Sequence, residues 1–143
     1  MIAVFAFDNS SSHAKLADDT LNVTNMNLNP GGKQPIMRDT IFNGQIQSMV
    51  FLTDHPDEKL RGKPKGMKII LQERGLWRSE LKGFCGNKET LLENSRCCAR
   101  HVLGAQEDFL NQKPMIQEII EELGHKVIFY PKFHCELNYI EMY

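Results

Sequence analysis

Residues 114–131 read Pro114-Met-Ile-Gln-Glu-Ile-Ile-Glu-Glu-Leu-Gly-His-Lys-Val-Ile-Phe-Tyr-Pro131, and this stretch decides the fold class. Met115, Ile116, Ile119, Ile120 and Leu123 recur at helical spacing, and Gly124 follows as a stop. Two residues on, Val-Ile-Phe-Tyr is a short apolar run closed by a proline. The spacing predicts a helix over 109–123, with the stripe from Ile116 to Leu123 in the core, and a strand over 126–130. A helix followed this closely by a strand has the shape of a connection into a parallel pair.

The partner strand is at the other end of the chain. Residues 2–7, Ile-Ala-Val-Phe-Ala-Phe, are all apolar and stop at Asp8. So continuous a run predicts a strand buried on both faces, in the middle of a mixed or parallel sheet. The class expected is therefore α/β.

Between these pieces lies an insertion over about residues 17–106, far longer than common loops. Residues 14–21 have room for one or two helical turns, and 22–35, rich in Asn, Gly and Pro, read as loop. Asn43-Gly44 between β-rich pieces is a strong hairpin signal, pairing roughly 40–42 with 46–51. In "KGMKIILQERGLW", residues 65–77, Met67, Ile70 and Leu71, with Trp77 as a further candidate, share one side of a short helix, and Gly75 suits its end. Residues 79–96 are polar and irregular. The insertion is expected to have its own small hydrophobic cluster around the hairpin and Trp77.

The chain has 143 residues, 41% hydrophobic and 24% charged, with a net charge of −1. That is one ordinary globular domain's worth of chain, with no bulk electrostatic pull toward nucleic acid. The basic run Arg61, Lys63, Lys65, Lys68 has Asp54, Asp57 and Glu58 beside it, which reads as a solvated, acid-balanced turn region. No apolar run is long enough for a membrane span, and no signal peptide opens the chain. The expectation is a protein that is not secreted, nuclear or cytoplasmic, with no membrane partner.

Two carboxylates fall where the predicted strands end. Asp8 follows the first strand, and Glu141 lies about a turn into a helix expected from Glu136 onward. In open α/β sheets ligands gather beyond the carboxyl ends of the strands, so both acids are expected at one crevice. Close carboxylates repel, and a hard divalent cation such as Mg²⁺ or Mn²⁺ relieves that repulsion. Asp108 also precedes Glu141, but no strand leads into it, and it reads as a residue near a helix start.

"FAFDNSSSH", residues 5–13, resembles the "DNAxxH" motif of mariner-like transposases, and "IFYPKFHCELNYIEMY", residues 128–143, resembles their "lPxxSPxLNPIExxW" motif. The matching positions of the latter are Pro131, Leu137, Asn138, Ile140 and Glu141. Through "KGMxxxLxERG", the clustered cysteines and "PKFHCELNxIE", nearly the whole chain is similar to a fungal group of DDE superfamily endonuclease proteins. The resemblance implies a partial RNase H-like mixed sheet carrying a large irregular insertion. It implies metal-dependent cleavage and transfer of DNA strands in intact relatives, with DNA as partner. Asp8 and Glu141 become the second and third metal-binding acids, with Asn9, His13 and Asn138 supporting them. The family's proline is Tyr139 here, and the insertion separates the two acids far more widely than is usual. The first catalytic aspartate is expected on a strand upstream of Met1, so the chain is expected to be a C-terminal fragment, inactive alone. The alternative is a non-catalytic remnant that binds nucleic acid or protein, or a relic without function.

Four cysteines are too few and too uneven for a disulfide scaffold. With two histidines they form the set Cys85, Cys97, Cys98, His101, His134 and Cys135, whose residue types suit Zn²⁺. The spacing contains no Cys-x-x-Cys pair, and adjacent Cys97 and Cys98 are expected to diverge. Reduced, partly buried cysteines are therefore the expectation.

Overall fold

The structure is a computed structural model that describes residues 1–85 and 97–131. Its elements run β1 (Val4–Phe7), β2 (Thr40–Phe42), β3 (Gln45–Gln47), α1 (Gly66–Glu73), α2 (Ala99–Gly104), α3 (Glu107–Leu110), α4 (Met115–Glu122) and β4 (Lys126–Phe129). The fold is mixed α/β, with a parallel pair β1–β4 and an antiparallel pair β2–β3. The chain divides into two compact units, residues 18–112 and the two flanking ends.

In the unit formed by the ends, β1 and β4 pair in parallel, with Val4 opposite Lys126 and Phe7 opposite Phe129. Helix α4 packs along β4 and closes with two backbone bonds, Gly124 N–H to Glu121 O and His125 N–H to Ile120 O. That pairing of bonds is the Schellman motif expected at a helix-terminating glycine.

Several expectations fail here. β1 is not buried on both faces, since Val4 is 60% and Phe5 40% exposed. Among the described residues β4 pairs with it and α4 packs along β4, too little to cover two faces of β1. Nor is α4 a core helix: it has no buried residue, and Ile119 is 51% exposed. The helix predicted over 109–123 is in fact two, because Pro114 cannot continue α3 and instead precedes the first turn of α4. Residues 14–21 form turns and no helix.

The unit 18–112 holds the buried apolar core of the described residues. Met67, Ile70 and Leu71 on α1 are fully buried with Leu103 on α2. Met26, Met37 and Met49 join them, flexible side chains suited to a core assembled from short, irregular pieces. Trp77 is partly buried against this core. Among the described residues the unit 18–112 thus holds α1, α2 and α3 as well as the hairpin, and carries more core than the strands flanking it.

Neither α1 nor α2 relies on side-chain capping alone. The Met67 and Lys68 amides donate to the carbonyls of Asn27 and Leu28 at 2.9 and 3.0 Å. The Ala99 and Arg100 amides donate to Lys82 and Gly83 at 2.8 and 3.2 Å. The otherwise orphaned first amides of each helix are satisfied by backbone from elsewhere in the sequence.

The hairpin forms at Asn43-Gly44, both with positive φ (50° and 76°), the conformation of a type I′ turn. β3 ends at Gln47, earlier than expected, because Ser48 Oγ bonds the amide and carbonyl of Val50 and turns the chain. Residues 49–51 then bond residues 62–65 instead. Gly44→Ala should cost about 1–2 kcal/mol, the penalty of a left-handed residue with a Cβ, since open space surrounds the position. Urea denaturation measures it.

Candidate functional site

Two groups of chemically competent side chains stand out, one in each unit. In the first, β1 delivers Asp8 at its carboxyl end. Tyr130 N–H donates to Phe7 O at 2.8 Å, so the chain leaving β4 passes beside the start of the Asp8 segment. After Asp8 the serines fold the chain back: Ala14 N–H bonds Ser10 O at 3.0 Å, and His13 N–H bonds Ser10 Oγ at 3.4 Å. This turn sets the His13 imidazole against the Asp8 carboxylate, Nδ1 to Oδ1, with the Phe7 ring 5.0 Å away between centroids.

Asp8 Oδ1 is buried, and its polar neighbour among the described residues is the His13 imidazole. The turn is made through Ser10, whose carbonyl and Oγ accept from the Ala14 and His13 amides. Asn9 is exposed beside it. Glu141, Asn138, His134 and Cys135 lie outside the described residues.

A carboxylate at the end of a strand is a donor that suits a hard cation. Yet one carboxylate does not make a Mg²⁺ or Mn²⁺ site, and an imidazole pressed against it is a poorer partner for Mg²⁺ than a second oxygen. The described residues alone do not fit the ion.

The second group lies at the start of α2. Cys98 is the N-cap, with extended backbone (φ −156°, ψ 166°), and its Sγ accepts from His101 N–H at 3.5 Å. Cys98 and His101 occupy the two positions that face each other in a capping box, so their side chains meet. Cys97 precedes the cap, and the bonds from Ala99 and Arg100 to Lys82 and Gly83 bring Cys85 alongside. His101 Nδ1 lies 3.1, 3.0 and 3.1 Å from the sulfurs of Cys85, Cys97 and Cys98.

The four ligand atoms lie within 4.8 Å of one another, a group that can hold a metal ion. The expectation that adjacent Cys97 and Cys98 diverge is therefore corrected: the bend at the helix cap turns both sulfurs to one point. The usable signal was Cys98-x-x-His101 at a helix start. The Cys97 thiol is held above its ordinary value, by desolvation first and then by Cys85 and Cys98.

Asp108 belongs to neither group. Arg74 Nη1 and Nη2 hold its carboxylate at 3.0 and 2.7 Å, and Thr40 Oγ1 donates to it at 2.8 Å. It is a structural ion pair. In the basic run, Lys65 pairs Glu73 at 2.8 Å, Arg61 pairs Glu58 at 3.6 Å, and Lys68 stands over Trp77. Those pairings match an acid-balanced surface. No helix among the described residues is long and apolar enough to cross a membrane.

Comparison with protein-family models, with curated proteins and with solved structures finds no match.

Proposed function

We propose that the Asp8 end of the β1–β4 pair is part of the catalytic centre of a DDE-type, metal-dependent DNA transposase or endonuclease built on an RNase H-like sheet. One observation carries the reading: Asp8 ends a strand that pairs in parallel with β4, and the chain continuing from β4 leads to Glu141. In an open α/β sheet ligands gather beyond the carboxyl ends of the strands, where Asp8 sits and from which the chain runs on toward Glu141. The motifs around both acids support it.

In this reading Asp8 and Glu141 are the second and third acids, and a bound Mg²⁺ or Mn²⁺ supplies Lewis-acid activation of a phosphodiester. His13 positions Asp8, since the Ser10 turn and the Phe7 ring hold its imidazole against the carboxylate. The first acid of the set has no matching motif in residues 1–143. Two acids cannot hold the geometry of in-line displacement, so the chain alone should not cleave DNA.

Two measurements test this. Titration calorimetry with Mn²⁺ under reducing conditions should show binding weakened at least ~10-fold by Asp8→Asn and by Glu141→Gln. Affinity unchanged from that of the unsubstituted chain in both variants counts against the reading. A supercoiled-plasmid assay with Mg²⁺ should show no nicking; nicking lost in Asp8→Ala would overturn the inactivity of the isolated chain.

The exposed apolar side chains of Ile2, Val4, Ile119 and Ile128 favour a second reading, a non-catalytic module that binds through this surface. It predicts Mn²⁺ affinity indifferent to both acids.

A further inference from the structure

We infer that Cys85, Cys97, Cys98 and His101 bind one Zn²⁺ ion in a closed, tetrahedral, structural site. Hydrogen bonding alone gives no account of their arrangement. An imidazole nitrogen carries either one proton or one lone pair, yet three sulfurs crowd His101 Nδ1 at 3.0–3.1 Å. A single cation at the centre satisfies all four atoms at once.

The distances fit. Zinc sits about 2.3 Å from thiolate sulfur and about 2.0–2.1 Å from imidazole nitrogen. Around a tetrahedron that places sulfurs about 3.8 Å apart, and sulfur and nitrogen about 3.5 Å apart. The Cys85 and Cys97 sulfurs are 3.6 Å apart. The imidazole needs only to move outward by roughly half an ångström.

Ligand chemistry selects the ion, because three thiolates and an imidazole suit zinc and not a hard, oxygen-seeking cation. Four protein donors leave no open position, so the ion holds structure and activates no water. His101 N–H to Cys98 Sγ supplies the outer hydrogen bond that steadies a thiolate ligand. The ion ties residue 85 to the cap of α2. That helix contributes Val102 and Leu103 to the core, so the metal fastens core-bearing backbone that has few regular elements of its own.

The test uses the full chain, purified with a thiol reductant. Elemental analysis should find about one zinc per chain. Exchange into Co²⁺ should produce thiolate-to-cobalt charge transfer and the strong visible bands of tetrahedral cobalt. Chelation should lower the melting temperature by ~10 °C or more. Cys85→Ser and His101→Ala should each weaken Co²⁺ binding by at least ~100-fold, more than outer-shell changes typically do. Cys135→Ser should leave the spectrum unchanged. A folded, reduced chain with no stoichiometric metal and no cobalt spectrum would overturn the inference. So would loss of the tetrahedral bands in Cys135→Ser, or their persistence in Cys85→Ser.

Discussion

Replacing Arg74 with alanine is expected to cost about 3–5 kcal/mol of stability, read as a drop in the urea midpoint. The Arg74 side chain is fully buried, and that of Asp108 is 16% exposed. The guanidinium also donates through Nε to Gln47 Oε1 at 2.9 Å and stacks over the Phe42 ring at 4.4 Å and the Phe109 ring at 5.5 Å. One side chain therefore joins the end of α1 to both hairpin strands and to α3. Truncation leaves the half-buried Asp108 charge with Thr40 but without its guanidinium partner, and that uncompensated charge accounts for most of the loss. A double variant, Arg74→Met with Asp108→Leu, should recover much of the stability, because a buried pair replaced by apolar volume is often near neutral. Equal damage from the single and double variants would show that packing, not charge, dominates.

The same pair sets a pH dependence. Burial pushes the Asp108 carboxyl up, but the hydrogen bonds from Arg74 and Thr40 and the charge of Arg74 outweigh it, and the group is held below its ordinary value of 3.8. The unfolded chain thus binds that proton more tightly than the folded one. The pair's contribution is complete above about pH 5 and fades as the pH falls through the folded value. In Asp108→Asn this part of the acid-induced loss should disappear.

Gly66→Ala is the second large effect, roughly 2–5 kcal/mol. Gly66 has φ +79°, and a Cβ there would meet Asn29 O at 2.6 Å, Asn29 C at 2.8 Å and Leu28 O at 2.9 Å. Those atoms are backbone and cannot swing aside. They are close because the next two amides, Met67 and Lys68, bond the carbonyls of Asn27 and Leu28. The substitution therefore strains its own residue and pries off the segment that caps α1. Gly62→Ala is the control: its φ is +67° but open space surrounds it, so it should cost only about 1–2 kcal/mol. Similar values for the two would remove the close approach as the cause.

These positions also show what the sequence could and could not announce. Periodicity and punctuation carry local information, so α1, the Asn43-Gly44 turn, β4 and the glycine stops at Gly75 and Gly124 were legible. Long-range capping was not, because a carbonyl from Asn27 or Lys82 leaves no mark in the residues of the helix it caps. Arg74 looked like any helix-ending arginine; its burial follows from three elements meeting on it. The apolar run of β1 promised burial, but coverage depends on neighbours that a run cannot specify. At the candidate sites, the acid at the end of β1 was readable because a strand end is a local event. The meeting of Cys85 with Cys97, Cys98 and His101 depends on the backbone bonds of Lys82 and Gly83, and spacing alone pointed the other way.

The most direct test of the proposed function asks whether Asp8 and Glu141 share one cation. Substoichiometric Mn²⁺, added to uniformly ¹⁵N-labelled chain, broadens amide resonances near the bound ion. The account predicts selective broadening of Asp8 and Asn9 together with Glu141, abolished at both places by Asp8→Asn. Broadening at only one of the two positions, or broadening unchanged in the variant, would contradict it.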